Sequence, residues 1–188
     1  MAESREDKKV STNGASPTGW RRYRQEVIFL VAFVLILALS FTALALTPVN
    51  DHVVEPFTAL VARTSGGLLN LIGQHVSLNG TIIRNSRFAV NIRNGCNGVE
   101  AMLIFLAAVL AFPATWKSRW IGLAIGIVAI QLINLIRVVA LFLTGSYAPS
   151  WFNSSHTVIW QTIVILASVL LWIFWASRFA VRQPVERS

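Results

Sequence analysis

Four long apolar runs alternate with polar segments along the chain: Val27 to Leu46, Val99 to Ala114, Trp120 to Leu143 and Val158 to Trp175. A hydrocarbon core about 30 Å thick is crossed by roughly 20 apolar residues rising about 1.5 Å each, so these runs predict four transmembrane helices. The second run is short, which implies little tilt or a locally thinned bilayer. Between the first two runs the period changes twice. After Pro48, the stretch Pro56 to Ile72 sets Phe57, Leu60, Val61, Thr64, Leu68, Leu69 and Ile72 at helical spacing, interrupted by Arg63, Ser65, Gly66 and Gly67. This predicts an amphipathic helix along the outer membrane surface, with a re-entrant segment as the alternative. From His75 to Ile92, apolar Val76, Leu78, Ile82, Ile83, Phe88, Val90 and Ile92 are interleaved with polar residues around Asn79-Gly80 and Asn85-Ser86. That pattern predicts short strands in a hairpin. The expected fold class is therefore an all-α integral membrane protein of about four transmembrane helices, with an outer amphipathic helix and a small β-hairpin.

Composition supports the membrane reading, since 55% of the 188 residues are hydrophobic, more than a soluble domain of this size carries. The net charge of +8 would suit nucleic acid in a soluble protein, but its placement beside the apolar runs argues for orientation in a bilayer and against a nucleic-acid partner. Arg5, Lys8, Lys9, Arg21, Arg22 and Arg24 precede the first run, Lys117 and Arg119 fill the second connection, and Arg178, Arg182 and Arg187 follow the last. By the positive-inside rule both termini are cytoplasmic, and the segments Thr47 to Gly98 and Thr144 to Thr157 lie outside, even though the first of these carries four arginines. The first run exceeds the roughly 15 residues of a signal h-region, so it is read as an uncleaved anchor despite the Ala43-Leu44-Ala45 tripeptide. The organisation expected is a basic disordered tail over residues 1–24, a transmembrane domain over 25–178 with spans near 27–46, 99–114, 120–143 and 158–175, and a second tail over 179–188.

Three residues carry chemistry. Arg137 lies within the third apolar run, where an uncompensated cation costs at least about 2.5 kcal/mol. Six residues before Leu143, it is placed about 9 Å below the outer end, from which its guanidinium can snorkel outward. Gln131 and Asn134 precede it at steps of three, so the three form one polar stripe that should face other helices. Cys96 sits in Asn94-Gly95-Cys96-Asn97-Gly98 at the start of the second run. There Asn97 can cap, the glycines expose the thiol, and free backbone amides favour a thiolate. As the chain's single cysteine, it forms no internal disulfide and no multi-cysteine metal cage, and neither metal nor cofactor is expected. His156 precedes the fourth run, and threading the chain through four spans brings Cys96, Arg137 and His156 to one outer level. A thiol nucleophile, an imidazole to protonate a leaving amine and a fixed cation for a developing oxyanion suit acyl transfer. Glu100, one turn after Cys96, is expected to pair with Arg137 or to favour the helix dipole. His52 and His75 lie on the same side with nothing in the sequence to single them out.

The ordered set Cys96-Asn97-Gly98, Asn134-Leu135-Ile136-Arg137 and His156 resembles the exosortase and archaeosortase family of membrane-embedded cysteine transpeptidases. The stretches NGCNGVEAMLIFLAAVLAFPATW and IQLINLIRVVALF look like its short exosortase H subtype. The resemblance covers residues 27 to 176 and lacks the extra spans of the larger exosortases. It implies cleavage of exported proteins that end in a short motif, a transmembrane helix and a basic cluster, for this subtype an IPTLxxWG-type signal. It also implies a thioester at Cys96, His156 as general acid and base, Arg137 as stabiliser of the tetrahedral intermediate, and a bacterial inner-membrane location with the site on the outer face. Membrane lipid is a further partner, and the acceptor is left open between water, a lipid-linked glycan and another amine. Two other classes compete: a non-enzymatic scaffold held together by Gln131, Asn134 and Arg137, and a small transporter. The second lacks a continuous polar track, and haem is disfavoured because no histidine falls within a predicted span.

Overall fold

The computed structural model describes residues 19–180. The chain is helical from Gly19, so the first helix takes in the last residues of the expected 1–24 tail. The rest of that tail, and residues 181–188, lie outside the described residues. In chain order the elements are α1 (Gly19–Ala45), α2 (Thr47–Val49), a π-helical turn (Asn50–Val54), α3 (Glu55–Leu71), β1 (Ser77–Asn79), β2 (Ile82–Arg84) and β3 (Ala89–Asn91). They continue with α4 (Val99–Ala111), α5 (Trp116–Tyr147), α6 (Pro149–Ser154), a π-helical turn (Ser155–Ile159), α7 (Trp160–Trp175) and a last π-helical turn (Ala176–Ala180). The fold is that of an all-α membrane protein with a small sheet.

Among the described residues, three helical segments are long and apolar enough to cross a bilayer: Tyr23–Ala45, Trp116–Tyr147 and Pro149–Ala180. The second apolar run forms the 13-residue α4, about 20 Å long at 1.5 Å per residue and short of the roughly 30 Å core. It stops where Phe112 turns extended ahead of Pro113, as a residue before proline is disposed to do. α5 then starts from Thr115, whose hydroxyl accepts the Ser118 N–H in a side-chain cap. The last two long helices overrun the apolar windows that predict them, because a helix already packed against neighbours continues through Thr144 to Tyr147 and from Pro149 onward. The segment expected as an outer loop, Thr144 to Thr157, is accordingly almost all helical.

α5 is the central element, packed against α3, α4 and α7. Its glycines admit rings at close range: a Cβ on Gly126 would run into Phe105, and one on Gly122 into Trp175, the small-residue contact typical of membrane bundles. Two buried clusters follow. One joins Val61, Leu69, Ile83, Ile92, Val138 and Phe142 at the sheet-bearing end; the other joins Phe105, Val109, Ile130 and Trp175 toward the opposite end.

The hairpin expected between residues 75 and 92 is a three-stranded antiparallel meander in the order β1-β2-β3, with Leu78 opposite Ile83 and Ile83 opposite Val90. The third strand arises because Asn85 makes a second turn, its Oδ1 accepting the N–H groups of Arg87 and Phe88 at 2.9 and 2.8 Å, an Asx turn. The helix expected over Pro56–Ile72 forms as α3, but its buried stripe is Thr58, Val61, Ala62, Ser65, Gly66 and Leu69. Ser65 and Gly66, read from sequence as interruptions, lie at the centre of the packed face, where Leu78 covers Gly66. Leu60, Leu68, Leu71 and Ile72 form an exposed apolar edge.

Candidate active site

The loop from Arg93 to Gly98 links β3 to α4 and holds Cys96 at its centre. Gly95 and Gly98 bracket the thiol with φ of 88° and 82°, the left-handed region that only glycine occupies without strain. The Gly95 peptide is fixed at both ends. Its N–H donates to Glu100 Oε1 at 2.6 Å, and its carbonyl accepts from Arg137 Nη1 at 3.1 Å. Asn97 is fully buried. Its Oδ1 accepts the Val99 N–H at 3.1 Å, while its Nδ2 donates to Thr58 Oγ1 at 2.9 Å. The cap position itself is Gly98, without a side-chain cap; the expected role of Asn97 is met only from one residue earlier, through the Val99 N–H. The Asn97 carbonyl accepts from Gln131 Nε2 at 3.1 Å.

Cys96 Sγ stands 2.8 Å from His156 Nε2, bridging 60 positions of sequence. His156 does not sit at a helix entrance as expected. It rides on the π-helical turn Ser155–Ile159 inside one continuous helical segment, with its ring stacked on Phe152 at 5.9 Å and 14°. A π turn shifts the following side chains around the helix axis and recurs at functional sites. The surroundings of Cys96 work against the expected thiolate. Burial pushes the thiol above its ordinary range, Arg137 pulls it down by less, and Glu100 adds to the rise. The helix-terminus argument fails because desolvation acts on the whole charge of a buried sulfur. The 2.8 Å contact puts Sγ and Nε2 within reach of a proton passed between them.

Arg137 is 3% exposed and ten residues from the end of α5, about 15 Å at 1.5 Å per residue. Snorkelling past the end of α5 is not what compensates it. Its Nη1 meets Gly95 O, its Nη2 donates to Gln161 Oε1 at 3.3 Å, and its Nε–H is buried with no partner among the described residues. Of the two roles expected for Glu100, the structure shows the second: it lies in the first turn of α4, its Oε1 accepting the Gly95 N–H, and it makes no ion pair with Arg137. The stripe of Gln131, Asn134 and Arg137 does face the bundle. Asn134 is wholly buried beneath Gly98, and neither its Oδ1 nor its Nδ2 has a partner among the described residues.

The structure thus brings together Cys96, Arg137 and His156 with Asn97, Gly98, Glu100, Gln131 and Asn134 around one loop. His52 and His75 stay apart: His52 Nδ1 is 3.0 Å from Pro48 O, and His75 takes a φ of 47°. Two residues join that the sequence reading leaves out, Gln161 and Thr58. A lone amide in the apolar α7 was the available signal for the first. A hydroxyl at the position shared with Val61 and Ser65 on one helix face was the signal for the second. Two cavities of about 440 Å³ each flank the loop. One is apolar and lies between α1, α4 and α7, with Arg137 at one end. The other is polar, lined by Asn50, Glu55, Thr81, Asn91 and Asn94.

The fold and site define a class: a helical membrane protein that seats a thiol on an imidazole beside a buried arginine. Residues 16–175 match the family described as transmembrane exosortase (Exosortase_EpsH), and the chain belongs to that family. It is a family of membrane transpeptidase or protease type that acts on proteins bearing C-terminal sorting signals. No curated protein and no solved structure matches the chain.

Proposed function

We propose that this chain is a cysteine transpeptidase of the short exosortase H kind, which cleaves the C-terminal sorting signal of exported proteins through a thioester at Cys96. The observation that carries the reading is the 2.8 Å contact between Cys96 Sγ and His156 Nε2. In the first step the thiol proton passes to His156 Nε2 as sulfur bonds to the scissile carbonyl carbon. The tetrahedral oxyanion that results is stabilised by the Arg137 guanidinium, whose Nε–H has no partner among the described residues. The C–N bond then breaks and the departing amine takes the proton from His156. In the second step His156 removes a proton from the acceptor, the acceptor attacks the thioester, and sulfur leaves to regain its proton. The substrates are exported proteins ending in a motif, a transmembrane helix and a basic cluster. The membrane is the bacterial inner membrane, with both termini cytoplasmic and Cys96 on the outer face.

The test follows precursor and product by immunoblot at equal enzyme level. Cys96→Ala should leave the precursor uncut, and Cys96→Ser nearly so, because a hydroxyl is far less acidic than a thiol. A slow substrate should trap a hydroxylamine-sensitive adduct on the wild-type chain alone. Full processing by Cys96→Ala would remove the nucleophile and favour a scaffold.

A further inference from the structure

Gln161 is the one side chain among the described residues that hydrogen-bonds Arg137, its Oε1 accepting from Nη2 at 3.3 Å. It stands five residues after His156 on the same helical segment, and the π-helical turn Ser155–Ile159 carries the chain from one toward the other. In an uninterrupted α-helix, residues five apart point about 140° away from each other. A plain helix presenting His156 to Cys96 would therefore turn position 161 elsewhere. The π turn closes hydrogen bonds over five residues, as from the Trp160 N–H to Ser155 O, and such bonds line up residues five apart. His156 thus meets Cys96 Sγ at 2.8 Å while Gln161 meets Arg137. One face of one helix serves both the nucleophile and the cation.

What holds Arg137 is as informative as where it is held. Both acceptors are neutral: the amide oxygen of Gln161, and the carbonyl of Gly95 at 3.1 Å from Nη1. Glu100, the carboxylate beside the same loop, takes the Gly95 N–H at 2.6 Å and leaves the guanidinium alone. A carboxylate would grip a guanidinium more strongly but cancel much of its charge, whereas a neutral acceptor fixes the plane of the fork and leaves the charge whole. A developing oxyanion is stabilised by uncancelled charge already in place, with no reorganisation at the moment of attack. With Nη1 and Nη2 tied to two different elements, that plane is set, and Nε–H, unpartnered among the described residues, remains for the oxyanion.

We propose that Gln161 is a positioning residue: a neutral acceptor, brought to the His156 face by the π turn, that fixes the Arg137 guanidinium without cancelling its charge. This role rests on the proposed thioester chemistry and adds a residue to it. Its test uses the full chain purified in detergent and a precursor ending in an IPTLxxWG-type motif, a transmembrane helix and a basic cluster. Cleavage rate and melting temperature are read on each variant. Gln161→Met, which keeps the length and removes the acceptor, should lower the rate at saturating precursor by about tenfold or more, as small misplacements of a reacting group do, with KM within about twofold of wild type. Gln161→Glu should be slowed at least as much although its melting temperature does not fall, since the acceptor stays and the charge is cancelled. A merely structural amide would not produce that split. In an Arg137→Lys background, Gln161→Met should cost no more than about threefold further, because both changes act through one group. Processing by Gln161→Glu at the wild-type rate overturns the proposal, and decides it alone if Gln161→Met melts too low to assay. So does a loss from Gln161→Met as large beside Arg137→Lys as in the wild-type background. Cys96→Ala, run alongside, separates the two failures. Full processing by Cys96→Ala would remove the thioester chemistry and this role together, whereas an inactive Cys96→Ala beside an unimpaired Gln161→Glu refutes Gln161 alone.

Discussion

Replacing Arg137 by Lys separates charge from geometry. The guanidinium reaches two acceptors on different elements, Gly95 O at 3.1 Å in the loop and Gln161 Oε1 at 3.3 Å on α7, and leaves Nε–H free. An ammonium keeps the charge but is a single point, unable to hold both acceptors in the planar fork and still offer a third donor. Losing one hydrogen bond to a charged donor costs about 1.5 to 3 kcal/mol. Losing a donor aimed at a developing oxyanion lowers turnover by about 10² to 10³. Processing in Arg137→Lys should therefore fall by about two orders of magnitude or more, while the chain remains inserted with a modestly lower melting temperature. The assay is the ratio of precursor to product in membranes at matched enzyme level, alongside thermal melting of the purified chain. Processing within about threefold of wild type would reduce Arg137 to a structural charge and refute its stabilising role.

Gly98→Ala should lower both stability and processing. It forces an L residue to φ 82° at about 1 to 2 kcal/mol and sets a Cβ 3.0 Å from Asn134 Cγ; a melting temperature and processing rate equal to wild type would contradict the loop geometry. Cysteines introduced singly at Asn79 and Lys117, both exposed, in a Cys96→Ala background should label from opposite sides of the membrane with an impermeant maleimide. Same-side labelling would sink the proposed topology. Since burial raises the Cys96 thiol, its thiolate fraction is below that of a free cysteine at neutral pH, and alkylation by iodoacetamide should keep climbing beyond the ordinary value of about 8.5. A rate already flat by pH 7 would mean a standing thiolate.

Much of the membrane fold is legible in hydropathy, because each apolar run must bury its own backbone bonds in a helix wherever lipid surrounds it. The ends of the helices are less so. α5 continues four residues past Leu143, and Pro149 opens a helical segment that reaches Ala180, because contacts with neighbours rather than hydropathy decide where those helices stop. In α3 the sequence marks large apolar residues as the inner face, yet the helix buries Thr58, Ser65 and Gly66, since the space beneath Leu78 and beside Asn97 admits only small or hydrogen-bonding side chains. The convergence of Cys96, Arg137 and His156 follows from counting spans. Their partners do not: Gln161 and Thr58 become visible only once α7 and α3 are placed, and no local signal announces the π turn that carries His156.

The state of the thiol is the point at which geometry changes the chemistry read from sequence. A helix terminus with two glycines and a nearby arginine suggests a preformed thiolate, and Arg137 does lower the pKa of Cys96. Desolvation and Glu100 act the other way and prevail, because the same loop that presents the sulfur to His156 also takes it out of water. A thiol held neutral is a weak nucleophile until its proton has somewhere to go. With Nε2 at 2.8 Å, the proton can move as the carbon–sulfur bond forms, so activation is tied to the arrival of a carbonyl. A solitary thiol kept protonated is also less open to oxidation, which proceeds through the thiolate. On this argument His156 is needed in the attack itself as well as in protonating the leaving amine. Replacing it should therefore suppress formation of the thioester and not merely slow its release.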